Sequence, residues 1–267
     1  MPEPIIGIDR GASFTDLAVL RGRTLIDRRS LETRDWTAIT AALEELREKH
    51  PRSHLAFSGA ASGMPPGIVE RVTVVPEIDS IGLGGATLAG TRKCLVVSMG
   101  TGSAMVHVDQ DEVTHMGGTG VGGGTIKGLG KLICGSEDVH NLERLALEGN
   151  AAQMNLTIGD LGLNDLSFLS ADATVSNFAG IKSDETEDKA AGILSLVAET
   201  IGIIASLCAL HAGCGDRIVA VGKVAANRHI RHTLDLVGAL YKTRFSFPDN
   251  GGCATAYGAA IKYMSMA

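Results

Sequence analysis

Fourteen of the chain's 34 glycines fall between Gly82 and Gly130. Glycine is used where a backbone must turn sharply or come close to another backbone or a ligand. Thirty-four glycines in 267 residues is nearly twice the roughly 7% of an average globular protein. No Gly-X-Y period and no Gly/Ser tract accompanies the excess, so collagen and flexible linkers are excluded. The densest stretch is instead expected to be a folded, backbone-lined surface. Aromatic residues make up only 4% of the chain, so such a surface has few rings to stack on.

The remaining composition, 45% hydrophobic and 20% charged, is that of an ordinary soluble chain, long enough for one large domain or two small ones with a real core. A net charge of −6 argues against general nucleic-acid binding, which calls for a basic face. The five cysteines are scattered, with no CxxC pair, so neither a zinc site nor a disulfide framework is expected. Isolated pairs such as His211/Cys214 and His229/His232 lack companion ligands. The first residues, Met1-Pro2-Glu3-Pro4, do not read as a signal peptide. Ala191–Leu210 is long enough to span a bilayer, but Ser195, Glu199, Thr200 and Ser206 interrupt it; a buried helix of a cytoplasmic protein, away from membranes, is the expectation.

Along the chain, strands are expected at Ile5–Asp9, Phe14–Leu20, Thr24–Arg28, His54–Phe57 and Val72–Val75. A helix at Thr37–Glu48 with a threonine cap, a loop at Ser58–Gly67 and a glycine-rich helix at Ser80–Gly90 complete the first half. A second set follows: strands at Cys94–Ser98, Ala104–Val108 and Glu112–Met116, then helices at Val121–Cys134 and Val139–Leu147. Gly149–Ser183 reads as irregular. Glu185–His211 is the longest helix. A strand at Arg217–Val221, a helix at Asn227–Leu240, a strand at Thr243–Phe247 and a helix at Cys253–Tyr263 close the chain. Each half opens strand–polar loop–strand, a duplication of pattern rather than identity. It points to two α/β domains, residues 1–91 and 92–267, with a cleft between them.

Three segments carry chemistry. In Gly7-Ile8-Asp9-Arg10-Gly11-Ala12-Ser13-Phe14-Thr15-Asp16 a hydrophobic strand delivers an aspartate to a tight turn and small hydroxyls. Turn amides and hydroxyls at Gly11 and Ser13 can hold phosphate oxygens, and Asp9 can hold Mg²⁺ directly or through water; alone, the segment reads equally as a hairpin turn. Val97-Ser98-Met99-Gly100-Thr101-Gly102-Ser103 repeats the logic, so two loops, one per half, can enclose a polyphosphate. Gly117-Gly118-Thr119-Gly120-Val121-Gly122-Gly123-Gly124-Thr125 lacks the Gly-Lys-Ser/Thr of a P-loop and follows a hairpin rather than opening a βαβ unit. Three glycines at a helix start are expected to leave amides uncovered for an anion.

In this order the three loops resemble the acetate and sugar kinase/heat-shock chaperone/actin superfamily and, within it, type II pantothenate kinases. The most specific stretch is Val97–Leu132; Ala173–Phe178, Arg217–Gly222 with Asn227, and Asn250–Ala259 extend it over essentially the whole chain. The resemblance implies two ribonuclease-H-like (actin-like ATPase) domains around a nucleotide cleft, with ATP and Mg²⁺ as cofactors. It places phosphates at Gly11, Ser13, Gly100, Thr101 and Gly102, the nucleotide along Gly122, Gly123 and Gly124, and the metal at Asp9. It makes Glu77, followed by Asp79, the base that takes the proton from the acceptor hydroxyl. Ser103, Ala104 and His115 fall on the substrate side. It also implies a homodimer, with Glu185–His211 as a candidate contact.

Several positions depart from the family. Asp16 stands where the family carries a lysine, which removes a phosphate-facing cation unless Arg10 or Lys127 compensates. Gly-Ala-Ser-Phe-Thr-Asp is also similar to the Gly-Gly-Thr-Phe-Thr-Asp of hydantoinase-type members. Ala104 replaces a serine and His115 an arginine that hold pantothenate in the family, and histidine cannot make arginine's two-pronged contact with a carboxylate. Phosphorylation of pantothenate is therefore expected beside two alternatives: a same-fold kinase of another small hydroxyl compound, and an ATP-driven activator or regulatory ATPase. Trp36 reads as a hydrophobic contact at a helix start.

Overall fold

The structure, a computed structural model, describes residues 2–59, 72–162 and 170–266; most of the expected Ser58–Gly67 loop lies outside them. The order is β1 (Pro4–Arg10), β2 (Phe14–Arg21), β3 (Thr24–Glu32), α1 (Trp36–Lys49), β4 (His54–Ser58), β5 (Val72–Val75) and α2 (Glu77–Leu88). Then come β6 (Lys93–Met99), β7 (Ser103–Asp109), β8 (Glu112–Thr119), α3 (Gly123–Leu129), α4 (Val139–Glu148), β9 (Leu156–Thr157), β10 (Thr174–Ser176), α5 (Thr186–His211), β11 (Ile218–Val221), α6 (Arg228–Tyr241), β12 (Phe245–Ser246) and α7 (Ala254–Met266).

The strands form two five-stranded sheets ordered β3-β2-β1-β4-β5 and β12-β11-β6-β7-β8. In each, the first three strands meander antiparallel, and two later strands add in parallel beside the first. The repeated strand–loop–strand pattern is thus a repeated sheet topology. A short β9/β10 pair organises part of the stretch read as irregular.

Each sheet is apolar on both faces because each is covered on both. α1 turns Ile39, Ala42, Leu43 and Leu46, a helical stripe, onto Ile6, Ile8, Leu17, Val19, Leu55 and Phe57. On the far side of the second sheet, α4, α5 and α6 enclose the largest core, around Leu95, Val97, Met105, Leu142, Ile193 and Leu234. α5 is long and apolar enough to cross a membrane, yet it is the central helix of this core. Its half-buried Glu199 is satisfied by Thr174 Oγ1 (2.9 Å) and Asn177 Nδ2 (3.3 Å). Burial raises the pKa of Glu199. The large apolar residues that α5 leaves strongly exposed are Leu207 and Leu210.

Two helices lie between the sheets. α2 sends Ile81 and Ala86 into a core with Val96, Val106, Val108 and Val219 of the second sheet. α7 sends Ala256, Tyr257, Ala259 and Ile261 onto Ile5, Ala18, Leu20 and Ala56 of the first. They cross backbone on backbone: a methyl at Gly84 would run into the Ala254 carbonyl, and one at Gly258 into the Ser80 carbonyl.

Local chemistry moves several boundaries. α1 begins at Trp36 because Asp35 caps it, accepting from the Ala38 amide at 2.9 Å; the cap is this carboxylate, not a threonine. α2 begins at Glu77, not Ser80, since Pro76 supplies an extended N-cap and two acids occupy the first turn. The expected Val121–Cys134 helix is α3 followed by one π-helical turn, Gly130–Cys134, ended by Gly135 at φ 67°. The last strand shrinks to Phe245–Ser246.

Gly258→Ala and Gly84→Ala should each destabilise the protein by about 3 kcal/mol through overpacking of this crossing. Chemical denaturation checks this; an exposed glycine such as Gly90, with open space around its Cα, is a useful control, although its positive φ calls for asparagine rather than alanine there.

Candidate active site

The parallel strands β1, β4 and β5 end together. Asp9 pairs with Ser58, Ser58 with Val75, and the chain passes through Pro76 into Glu77 at the start of α2. In the antiparallel direction Asp9 lies opposite Asp16 on β2. Register alone therefore gathers Asp9, Asp16 and Glu77 at the carboxyl edge of the first sheet, where ligands of open α/β sheets bind. Ser58, fully buried, has an Oγ with no hydrogen-bond partner among the described residues. Asp79, one half-turn on, is engaged by Lys262 of α7 at 2.8 Å, while Glu77 is exposed.

The consequence for Asp9 is electrostatic. Burial, then the neighbouring charges of Asp16 and Glu77, push its carboxyl up to about 7, against an opposing pull from Lys223. A divalent cation would relieve both the desolvation and the repulsion, so the donor chemistry suits one. Among the described residues no three His, Cys, Asp or Glu side chains gather as a ready ligand set; phosphate or water oxygens would have to complete the shell.

The two hydroxyl-bearing loops meet. The first is a tight turn closed by the Gly11 amide on the Phe14 carbonyl at 2.9 Å. It is braced by Thr33, whose Oγ1 donates to the Gly11 carbonyl at 2.8 Å. The second is closed by the Gly100 amide on the Gly102 carbonyl at 2.9 Å. Ser13 Oγ and Thr101 Oγ1 stand 3.0 Å apart across the gap. Gly11, Ser13, Gly100, Thr101 and Gly102 thus lie on two facing turns.

Gly122, Gly123 and Gly124 differ from expectation. Their amides are not uncovered: they donate to Thr125 Oγ1 (3.2 Å), the Gly100 carbonyl (2.8 Å) and the Thr101 carbonyl (2.9 Å). A Cβ on Gly122 would lie 2.7 Å from the Thr101 oxygen. These glycines weld the start of α3 to the second loop, and a ligand here meets backbone surface rather than free donors.

Ala104, Val106 and Val113 share the sheet face that α2 covers, and His115 sits opposite Val106 on that face. A methyl on Gly82 of α2 would fall 2.8 Å from Val113 Cγ1. Ser103 faces the other way by strand alternation, and its hydroxyl donates to the Val121 carbonyl at 2.9 Å. It does not join Ala104 and His115.

Neither Arg10 nor Lys127 takes up the charge of Asp16. Arg10 stacks on Trp36, its guanidinium carbon 4.8 Å from the ring centroid. Lys127 lies over Phe14 at 5.8 Å. The partner of Asp16 is Lys223, at 2.6 and 2.8 Å from its two carboxylate oxygens. Lys223 follows β11, 207 residues away in sequence, and no local motif signals it.

Two such sheets with paired loops at their carboxyl edges define the actin-like ATPase fold. Solved structures of similar fold include the activator of the 2-hydroxyisocaproyl-CoA dehydratase from Clostridium difficile with bound ADPNP, at TM-score 0.68 and 17% identity over 98% of this chain and 95% of that one. A ROK family glucokinase from Streptomyces griseus in complex with glucose and AMPPNP matches at TM-score 0.60 and 16% identity, over 97% and 98%. The Fumble family matches residues 89–244, more than half of the chain, and the chain belongs to that family. A relative named type II pantothenate kinase, from Bacillus cereus (strain ATCC 10987 / NRS 248), is 25% identical over 276 residues, covering 97% of each chain.

A carboxyl raised in the fold binds a proton that the unfolded chain has released. The native state therefore loses stability as pH rises from about 4 through about 7. Asp9→Asn should raise the melting temperature at pH 8 and leave it unchanged at pH 4, each 1 kcal/mol appearing as about 2–4 °C. Thermal melts across this range check the sign.

Proposed function

We propose that the chain is an ATP-dependent kinase of a small hydroxyl compound, with pantothenate, phosphorylated to 4'-phosphopantothenate as the first step of coenzyme A synthesis, as the favoured acceptor. The observation that carries the reading is the convergence of Asp9 and Glu77 at the strand ends beside the facing loops of Ser13 and Thr101. Relatives named type II pantothenate kinase over 97% of both chains support the choice of acceptor.

In this reading Glu77 accepts the proton of the acceptor hydroxyl as the γ-phosphoryl group arrives. Its place at the first residue of α2 holds it at a fixed point, and Lys262 keeps Asp79 from competing for the same role. Asp9 would hold Mg²⁺, which supplies charge neutralisation to the phosphates. Gly11, Ser13, Gly100, Thr101 and Gly102 line the phosphates, and the nucleotide lies along the surface of Gly122, Gly123 and Gly124. Ala104 and His115 border the acceptor. The division at residue 91, a cytoplasmic location and a homodimer belong to the same reading.

Purified protein given ATP and Mg²⁺ should release ADP only when pantothenate is added. Glu77→Gln should cut that rate by about 10²–10⁴-fold. ADP release independent of any acceptor would replace this reading with that of an ATP-driven activator. Stimulation by a different alcohol, and not by pantothenate, would keep the kinase and change the substrate. His115→Arg should lower KM for pantothenate about tenfold by restoring a fork to its carboxylate, and steady-state kinetics at varied pantothenate checks it.

A further inference from the structure

We infer that Lys223 supplies the phosphate-facing positive charge of this cleft, from the second sheet's side, and that Asp16 is the carboxylate that positions it. The inference rests on the reading of the cleft as an ATP site and goes beyond it, since neither residue was assigned a ligand role there.

Lys223 is rooted in the second phosphate loop. Gly222 before it holds φ 92°, a conformation that favours glycine, with its Cα packed against the Met99 backbone, and its amide donates to the Gly251 carbonyl at 2.9 Å. Val224 after it packs on Gly123, to which a Cβ would bring it within 3.1 Å. From this anchored base the ammonium crosses to the first sheet. It meets both oxygens of Asp16 and sits 4.4 Å from the centre of the Phe14 ring. Phe14 adjoins Ser13, whose hydroxyl touches Thr101. The charge therefore stands where the two loops face each other.

The charge balance of the cleft points the same way. Asp9, Asp16 and Glu77 are three carboxylates at one strand edge, and a triphosphate adds further negative charge. Among the described residues, Lys223 is the ammonium paired with one of them, Asp16, and its field reaches Asp9. Asp16 is nearly buried, with a side chain 10% exposed, whereas Lys223 remains 36% exposed. A lysine carries three donors; two contacts go to Asp16, and solvent-accessible surface remains for an incoming oxygen. A carboxylate that grips an ammonium from the buried side, leaving the other side open, fixes a cation without consuming it.

The alternative is a plain interdomain ion pair that only holds the sheets together. The two roles differ in outcome. If Lys223 meets phosphate, Lys223→Met should weaken ATP and ADP binding about ten- to hundredfold, as expected for a lost charge-assisted hydrogen bond, and change AMP binding by less than about threefold. Lys223→Arg should keep most of the affinity. Asp16→Asn keeps the ammonium but loosens its hold, and should weaken ATP and ADP binding about threefold, less than Lys223→Met does. If the pair is only structural, Lys223→Met and Asp16→Asn should behave alike for all three nucleotides.

Calorimetric titration of the full-length protein and these three variants with the Mg²⁺ complexes of ATP and ADP and with AMP decides it, circular dichroism confirming that each variant is folded. Lys223→Met equal to the parent on ATP, equal losses for AMP and ATP, or matching losses in Asp16→Asn would each overturn the inference. Should Lys223→Met fail to fold, Lys223→Gln, which removes the charge and keeps a polar head, takes its place with the same expected losses. A parent protein that binds no adenine nucleotide would instead remove the ATP-site reading, and this inference with it.

Discussion

The crossing of α2 and α7 is the constraint on which the rest of the structure depends. α2 leaves the first sheet and packs on the second; α7 leaves the second and packs on the first. Carbonyls of Ala254 and Ser80 sit against bare glycine Cα atoms, so the helices approach to backbone contact and no side-chain layer separates them. The sheets are thereby held at one separation, and that separation decides whether Ser13 and Thr101 meet. The same crossing fixes the start of α2 and, with it, the placement of Glu77. A site assembled from two sheets inherits its precision from such a joint rather than from its loops.

Charge is the second organising element. Carboxylates gather at one edge of the first sheet, and burial, then the charges of Asp16 and Glu77, raise the pKa of Asp9. Such clustering is costly in an empty fold, and it is the kind of cost that active sites carry. Lys223 offsets part of it from across the cleft. Arg10 and Lys127, the candidates for the missing lysine's charge, lie over the rings of Trp36 and Phe14, the latter shared with Lys223.

Much of this was legible in the sequence, for identifiable reasons. Apolar runs such as Cys94–Ser98 are strands buried on both faces, and the repeat of strand–loop–strand announced two like sheets. Asp9 was singled out because it follows directly on a strand end, and Glu77 only through the family resemblance. Features set by partners distant in sequence were not legible. The Asp16–Lys223 pair joins residues 207 positions apart, and nothing near Asp16 names its partner. The resemblance places Ser103 with Ala104 on the substrate side, but strand alternation sends its side chain to the opposite face. The run Gly122–Gly124 shows a subtler limit. Glycine density marks close backbone approach, yet it does not say whether the approaching group is a ligand or, as here, the carbonyls of Gly100 and Thr101.

The last helix has a consequence for the order in which the molecule can be made. The first sheet is complete by Val75, but its inner face, with Ile5, Ala18, Leu20 and Ala56, is covered by residues of α7, the 13-residue segment Ala254–Met266. A ribosome delivers that cover only after the whole second sheet has been made. Until then the first sheet carries an open apolar face that the nascent chain must keep from other chains, and a deletion within α7 would strip a core.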